Sequence, residues 1–154
     1  MPRRSRITPR AAAFHEAAHA VARVHVGAPA TAVQIIPHGL THGSRRWAGR
    51  GERRMLNWLL VLFAGSYAQA FATRRSLTRT VLYSGKLDMQ TAAPAVAWLV
   101  RHGYARTCME ALRRVHSETM IFLSLRWDSI ECVAAGLLKD GKLTARQVRA
   151  LARI

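Results

Sequence analysis

Acidic side chains are scarce in this sequence of 154 residues, which has eight Asp and Glu against 24 Lys and Arg. The formal net charge is +16 at pH 7, a value that favours a polyanionic partner such as nucleic acid or an anionic membrane surface. Half of the residues are hydrophobic, which excludes a disordered basic chain. The length predicts a single domain over residues 1–154, with residues 1–7 as a basic tail.

Cysteine is also rare, and the two that occur, Cys108 and Cys132, lie far apart in the sequence. This argues against a disulfide scaffold and favours a reducing compartment, so we expect a cytoplasmic protein. The first residues lack the apolar stretch of a secretion signal. The uncharged run 55–72 approaches the length of about 20 residues that crosses a bilayer. Its polar side chains favour a buried helix instead, and we expect no membrane segment.

The apolar pattern predicts a mainly α protein, a helical bundle with one small β element. The first helix begins with Thr8 as its cap and Pro9 in its first position, and it stops at Gly27. Residues 31–36 are typical of a short strand, and residues 38–51 of a Gly-rich loop or a ragged hairpin. We expect further helices over about 52–74, 87–102 and 106–138 and from Thr144 onward, with an irregular connection over 75–86.

The first helix contains an HExxH motif, His15-Glu16-Ala17-Ala18-His19. Residues four apart lie about 40° apart around a helix, so both imidazoles can reach one metal ion. A zinc ion bound there would lower the pKa of a water molecule to about 7, and Glu16 could take the proton as general base. Two surface histidines on an ordinary helix are the alternative, but the apolar neighbours of the motif favour a buried pair that needs a partner.

A catalytic zinc ion takes three protein ligands, so a third must come from elsewhere in the chain. Asp88 stands out because it follows Ser84-Gly85 at the start of a predicted helix, although an Asp at such a place is often only a helix cap. The sequence chemistry leaves the other candidates open: Glu52, Glu110, Glu118, Asp128, Glu131, Asp140, His102 and His116.

Several segments, in order, resemble the peptidase domain of the FtsH-type ATP-dependent zinc metalloproteases. They are AAAFHEAAHAVA around the HExxH motif, VQIIPHG after it, LFAGSYAQAF, SGKLDMQTA and, weakly, LLKDGKLTARQVRALA. The resemblance implies a zincin-like HExxH helix, zinc ligands His15, His19 and Asp88, and Glu16 as the catalytic base. It also implies that an extended substrate adds to the strand at 31–36, and that the domain can form a homo-oligomer, often a hexamer.

The chain departs from the family in several ways. It contains no nucleotide-binding loop of the ATPase module, Ala18 replaces a glycine of the motif, and Gln69 and Ala70 stand where acidic residues are usual. We therefore expect a zinc metalloendopeptidase that cuts peptides and unfolded or flexible polypeptides, alone or with an ATPase acting in trans. The alternative is a weak or inactive peptidase fold that serves as a basic nucleic-acid-binding or regulatory module.

Other polar and aromatic residues give weaker signals. His38 and His42 share the Gly-rich loop and are typical of solvated histidines. Tyr83 and His38 are candidates for stabilising an oxyanion, and Trp47 beside Arg45 and Arg46 could stack on a base.

Overall fold

A computed structural model describes residues 7–35, 40–41, 51–83 and 85–153. The fold is mainly α with a small β element, as the sequence predicts. The six helices of the described residues are α1 (Pro9–His25), α2 (Gly51–Thr73), α3 (Leu77–Tyr83), α4 (Lys86–Arg101), α5 (Cys108–Asp140) and α6 (Ala145–Ala152). The strands are β1 (Val33–Gln34), β2 (Leu40–Thr41) and β3 (Lys142–Leu143).

The helix ends follow local side-chain chemistry. The hydroxyl of Thr8 accepts from the backbone N–H of Ala11 at the start of α1, where Pro9 needs no partner. Thr144 and Gln147 form a reciprocal capping box at the start of α6. Gly141 ends α5 in the left-handed conformation, φ 73°, which a residue without Cβ adopts at little cost. These boundaries confirm the predicted starts of both helices.

Helix α2 is the central element, in contact with α1, α3, α4 and α5. It is long and apolar enough to cross a membrane, but 72% of its most apolar window is buried inside the fold. That burial is compatible with the predicted core helix. Helix α5 packs against both α1 and α2, and Phe14 of α1 stacks on Trp127 of α5 with ring centroids 5.6 Å apart.

Two predictions about local structure were wrong. The connection over 75–86 contains α3, which begins after Ser76, whose hydroxyl accepts from the backbone N–H of Arg79. The strand over 31–36 is shorter than predicted, and it is not an edge strand. It lies between β2 and β3, with Val33 opposite Thr41 on one side and Leu143 on the other. Because both sides of β1 are paired, a substrate cannot add to it as a further strand.

Candidate metal centre

The two histidines of the HExxH motif lie on the side of α1 that packs against α2. Their Nε2 atoms are 3.0 Å apart, and their side chains are 13% and 11% exposed for His15 and His19. The surrounding alanines of α1 are buried, which lets the two helices approach closely. The segment is therefore buried, as its apolar neighbours predict.

A residue of α2 holds the opposite nitrogen of each ring. His19 Nδ1 lies 2.7 Å from the backbone carbonyl of Val61, and His15 Nδ1 lies 3.1 Å from Gln69 Oε1. Since both partners accept hydrogen bonds, each Nδ1 carries the proton and donates it. In the neutral imidazoles each Nε2 then presents a lone pair, the arrangement that metal-binding histidines adopt.

Asp88 brings a third acceptor to the same point. It is the third residue of α4, and the N-cap of that helix is Gly85. Asp88 is therefore not a helix cap, which was the alternative role. Its Oδ2 atom lies 3.4 Å from His15 Nε2 and 3.6 Å from His19 Nε2. Among the described residues, these three side chains form the one group whose donor atoms could hold a metal ion, all within 4.8 Å of one another.

Three acceptor atoms so close together repel unless a proton or a metal cation lies between them. The pKa values of His19 and Asp88 are shifted in the directions that favour a positive charge at this point. Burial by itself lowers the pKa of His19, but the hydrogen bond and charge of Asp88 raise it above its usual value. Burial by itself raises the pKa of Asp88, but both histidines hold it well below its usual range. A metal ion would supply the missing charge, and nitrogen and carboxylate donors fit that role.

Gly65 makes room for this arrangement. A Cβ atom at this position of α2 would overlap the imidazole of His19, with Cδ2 and Cε1 only 2.8 Å away. The ring cannot easily move aside, because the carbonyl of Val61 fixes its other nitrogen. Gly65, Val61 and Gln69 are not predicted as part of the site from the sequence, although a glycine inside an apolar helix often has a packing reason.

Glu16, the predicted base, is 7% exposed and follows His15 directly on α1. It lies about 100° around the helix from His15 and about 60° from His19, so it borders the side that carries the metal-binding pair. A buried carboxylate at the rim of a metal centre can exchange protons with a water molecule inside it.

The other candidate ligands are engaged elsewhere or lie apart from the centre. Glu52 pairs with Arg114, and Glu118 with Arg53. His116 Nδ1 lies 2.8 Å from the hydroxyl of Tyr67. None of the remaining candidates joins the group within the described part of the chain: Glu110, Asp128, Glu131, Asp140 and His102. His38, His42, Trp47 and the side chain of Tyr83 lie outside the described residues.

No protein-family model matches the chain, and no curated protein is significantly similar to it. The resemblance to FtsH-type peptidases therefore rests on the sequence motifs and stays a prediction.

Proposed function

We propose that the protein is a zinc metalloendopeptidase, similar to the FtsH-type peptidases, that cuts unfolded or flexible polypeptides. The observation that carries this proposal is the convergence of His15 Nε2, His19 Nε2 and Asp88 Oδ2 beside a buried Glu16. Two imidazoles and one carboxylate are a donor set that catalytic zinc sites use, with a further position left for water or substrate.

In the proposed reaction, zinc bound by these three residues supplies Lewis acidity to the scissile carbonyl and to water. Glu16 takes a proton from the attacking water, whose oxygen bonds to the carbonyl carbon. Glu16 then gives that proton to the amide nitrogen as the carbon–nitrogen bond breaks, so the carboxylate ends the cycle unchanged. Val61 and Gln69 keep both imidazoles oriented throughout, because their oxygens accept the Nδ1 protons.

Replacing Glu16 tests this assignment. Glu16→Gln keeps the shape of the side chain but removes the base, so we expect zinc binding to persist and kcat to fall by roughly 100-fold or more. Cleavage of an unfolded, casein-like protein and the zinc content of the same samples are the measurements. Glu131→Gln, an exposed change on α5, is the control and should cleave at the wild-type rate. Cleavage by Glu16→Gln at the wild-type rate would contradict the role of Glu16.

The homo-oligomer that the resemblance implies stays a prediction, as does the ATPase in trans. Unfolded or flexible chains can reach the metal centre in an extended form without prior unfolding, so they are the proposed substrates.

A further inference from the structure

A groove lies along the contact between α2 and α4, and its volume is about 400 Å³, within the usual range for ligand pockets. Its walls are mostly apolar and aromatic. Met55 and Trp58 come from α2, and Pro94 and Trp98 come from α4; Thr91 and Arg54 add polar groups.

The groove and the candidate metal centre lie along the same sides of both helices. On α2, Arg54, Trp58, Val61 and Gly65 are spaced by four, three and four residues and share one side of the helix. Val61 and Gly65 contact the ring of His19, and Trp58 and Arg54 line the groove. The stripe therefore leads from the metal centre to the groove.

Helix α4 repeats this pattern. Asp88, Thr91, Ala95 and Trp98 are spaced by three, four and three residues and also share one side. Asp88 belongs to the metal centre, and the other three line the groove. The rise of the helix from Asp88 to Trp98 is about 15 Å, which an extended peptide covers with about four or five residues.

The far wall of the groove is held in place by stacking. The ring of Trp98 stacks on His102 with centroids 4.1 Å apart and on Tyr104 with centroids 5.6 Å apart. A side chain fixed in this way presents a preformed surface, which reduces the entropy lost when a ligand binds.

Arg54 gives the far end of the groove a positive charge. The ion pairs of the described residues leave Arg54 without a carboxylate, whereas its neighbour Arg53 pairs with Glu118. A guanidinium beside apolar walls fits an anionic group next to an apolar one.

We infer that this groove binds the peptide substrate on one side of the scissile bond, taking aromatic or long aliphatic side chains and, about four residues from the bond, an acidic side chain at Arg54. This rests on the proposed function for the reaction itself. It also supplies a path for the substrate other than β1, which is paired on both sides.

Peptide binding tests the groove separately from cleavage. The probe is a fluorescently labelled ten-residue peptide with two Phe residues and, within two residues of them, one Glu that lies about four residues from the intended scissile bond. It is titrated into the zinc-loaded Glu16→Gln protein. Fluorescence anisotropy gives the affinity. We expect replacement of the two Phe by Ala to weaken binding by roughly 10- to 100-fold. Replacement of the Glu by Gln should weaken it by roughly fivefold.

Two charge-reversal variants of the protein, one at Arg54 in the groove and one at its neighbour Arg53, form a matched pair. Arg54→Glu should weaken binding of the Glu peptide by roughly tenfold and improve binding of a Lys peptide, while Arg53→Glu, with the same net charge, should change both less than twofold. Equal effects of the two variants would overturn the inference, as would equal affinity for the Phe and Ala peptides. If the expected binding pattern appears but the wild-type protein cuts nothing, the proposed function fails while the groove stands.

Discussion

At residue 65, the absence of a side chain lets the imidazole of His19 lie directly against α2. This explains why an apolar helix, in which glycine is unfavourable by about 1 kcal/mol relative to alanine, keeps a glycine at this position. The cost to the helix is offset by close packing and by the placement of one proposed metal ligand.

Gly65→Ala is therefore expected to do harm despite its better helix propensity. The added Cβ must displace a buried, hydrogen-bonded ring, so we predict a loss of about 1–3 kcal/mol in the free energy of unfolding and weaker zinc binding. Gly136→Ala on α5 is the control. There the added Cβ meets the flexible end of Leu151, 2.9 Å away, and zinc affinity should be unchanged. Thermal unfolding and zinc titration measure both effects. Wild-type zinc affinity in Gly65→Ala would contradict this account of the site.

At the scale of elements, the contact between α1 and α5 contains a histidine that favours its neutral form. Burial lowers the pKa of His25 from its usual value of 6.5, and the charges of Arg126 and Arg53 lower it further. Arg126 Nε donates to His25 Nδ1 across 3.3 Å, a bond that requires the unprotonated nitrogen.

This contact predicts a loss of stability on acidification. Below pH 6.5 the unfolded chain binds a proton at His25 more readily than the folded chain does, so the contribution of this residue to stability falls as the pH falls. His25→Gln should therefore lose less stability than the wild type between pH 7.5 and pH 5.5, as measured by the urea midpoint. His102→Gln, an exposed change directly after α4, controls for the removal of a histidine. If His25→Gln and the wild type lose equal stability over this pH range, His25 is not a cause of the acid sensitivity.

Local signals explain which elements the sequence predicts. Helices α1 and α6 have capping residues and an apolar side, and both begin where these signals place them. Helix α3 was missed because Thr and Val lower its intrinsic helix propensity, although Ser76 offers a cap. Strand β3 was missed because two residues form a strand only through pairing with β1, a partner more than 100 residues away in the sequence.

Some residues of the candidate site are also predicted by local sequence patterns, and others depend on how the helices pack. The spacing of His15 and His19 indicates a shared side of α1, whereas Asp88 was singled out by its position at a helix start and by resemblance, not by chemistry alone. The contacts of Gln69 and Val61 with the imidazoles depend on how α2 packs against α1, which no local pattern expresses.

At the scale of the whole molecule, the charge of +16 lies largely outside ion pairs. In the described part of the chain, Arg53, Arg106 and Arg114 pair with carboxylates, and eight Asp and Glu cannot neutralise 24 Lys and Arg. The resulting positive field raises the local concentration of acidic ligands, which agrees with an acidic position in the proposed substrate. The alternative, a nucleic-acid-binding or regulatory module on an inactive peptidase fold, stays a prediction and needs no metal.

The zinc stoichiometry of the metal-stripped and reloaded protein tests the central claim most directly. We predict one zinc ion per chain in the wild type and in Glu16→Gln, and a loss of affinity of roughly 100-fold or more when His19 or Asp88 is replaced by Ala. Circular dichroism confirms that each variant remains helical. A wild-type protein that binds no zinc, or an Asp88→Ala variant that binds it as tightly as the wild type, would contradict the metal centre described above.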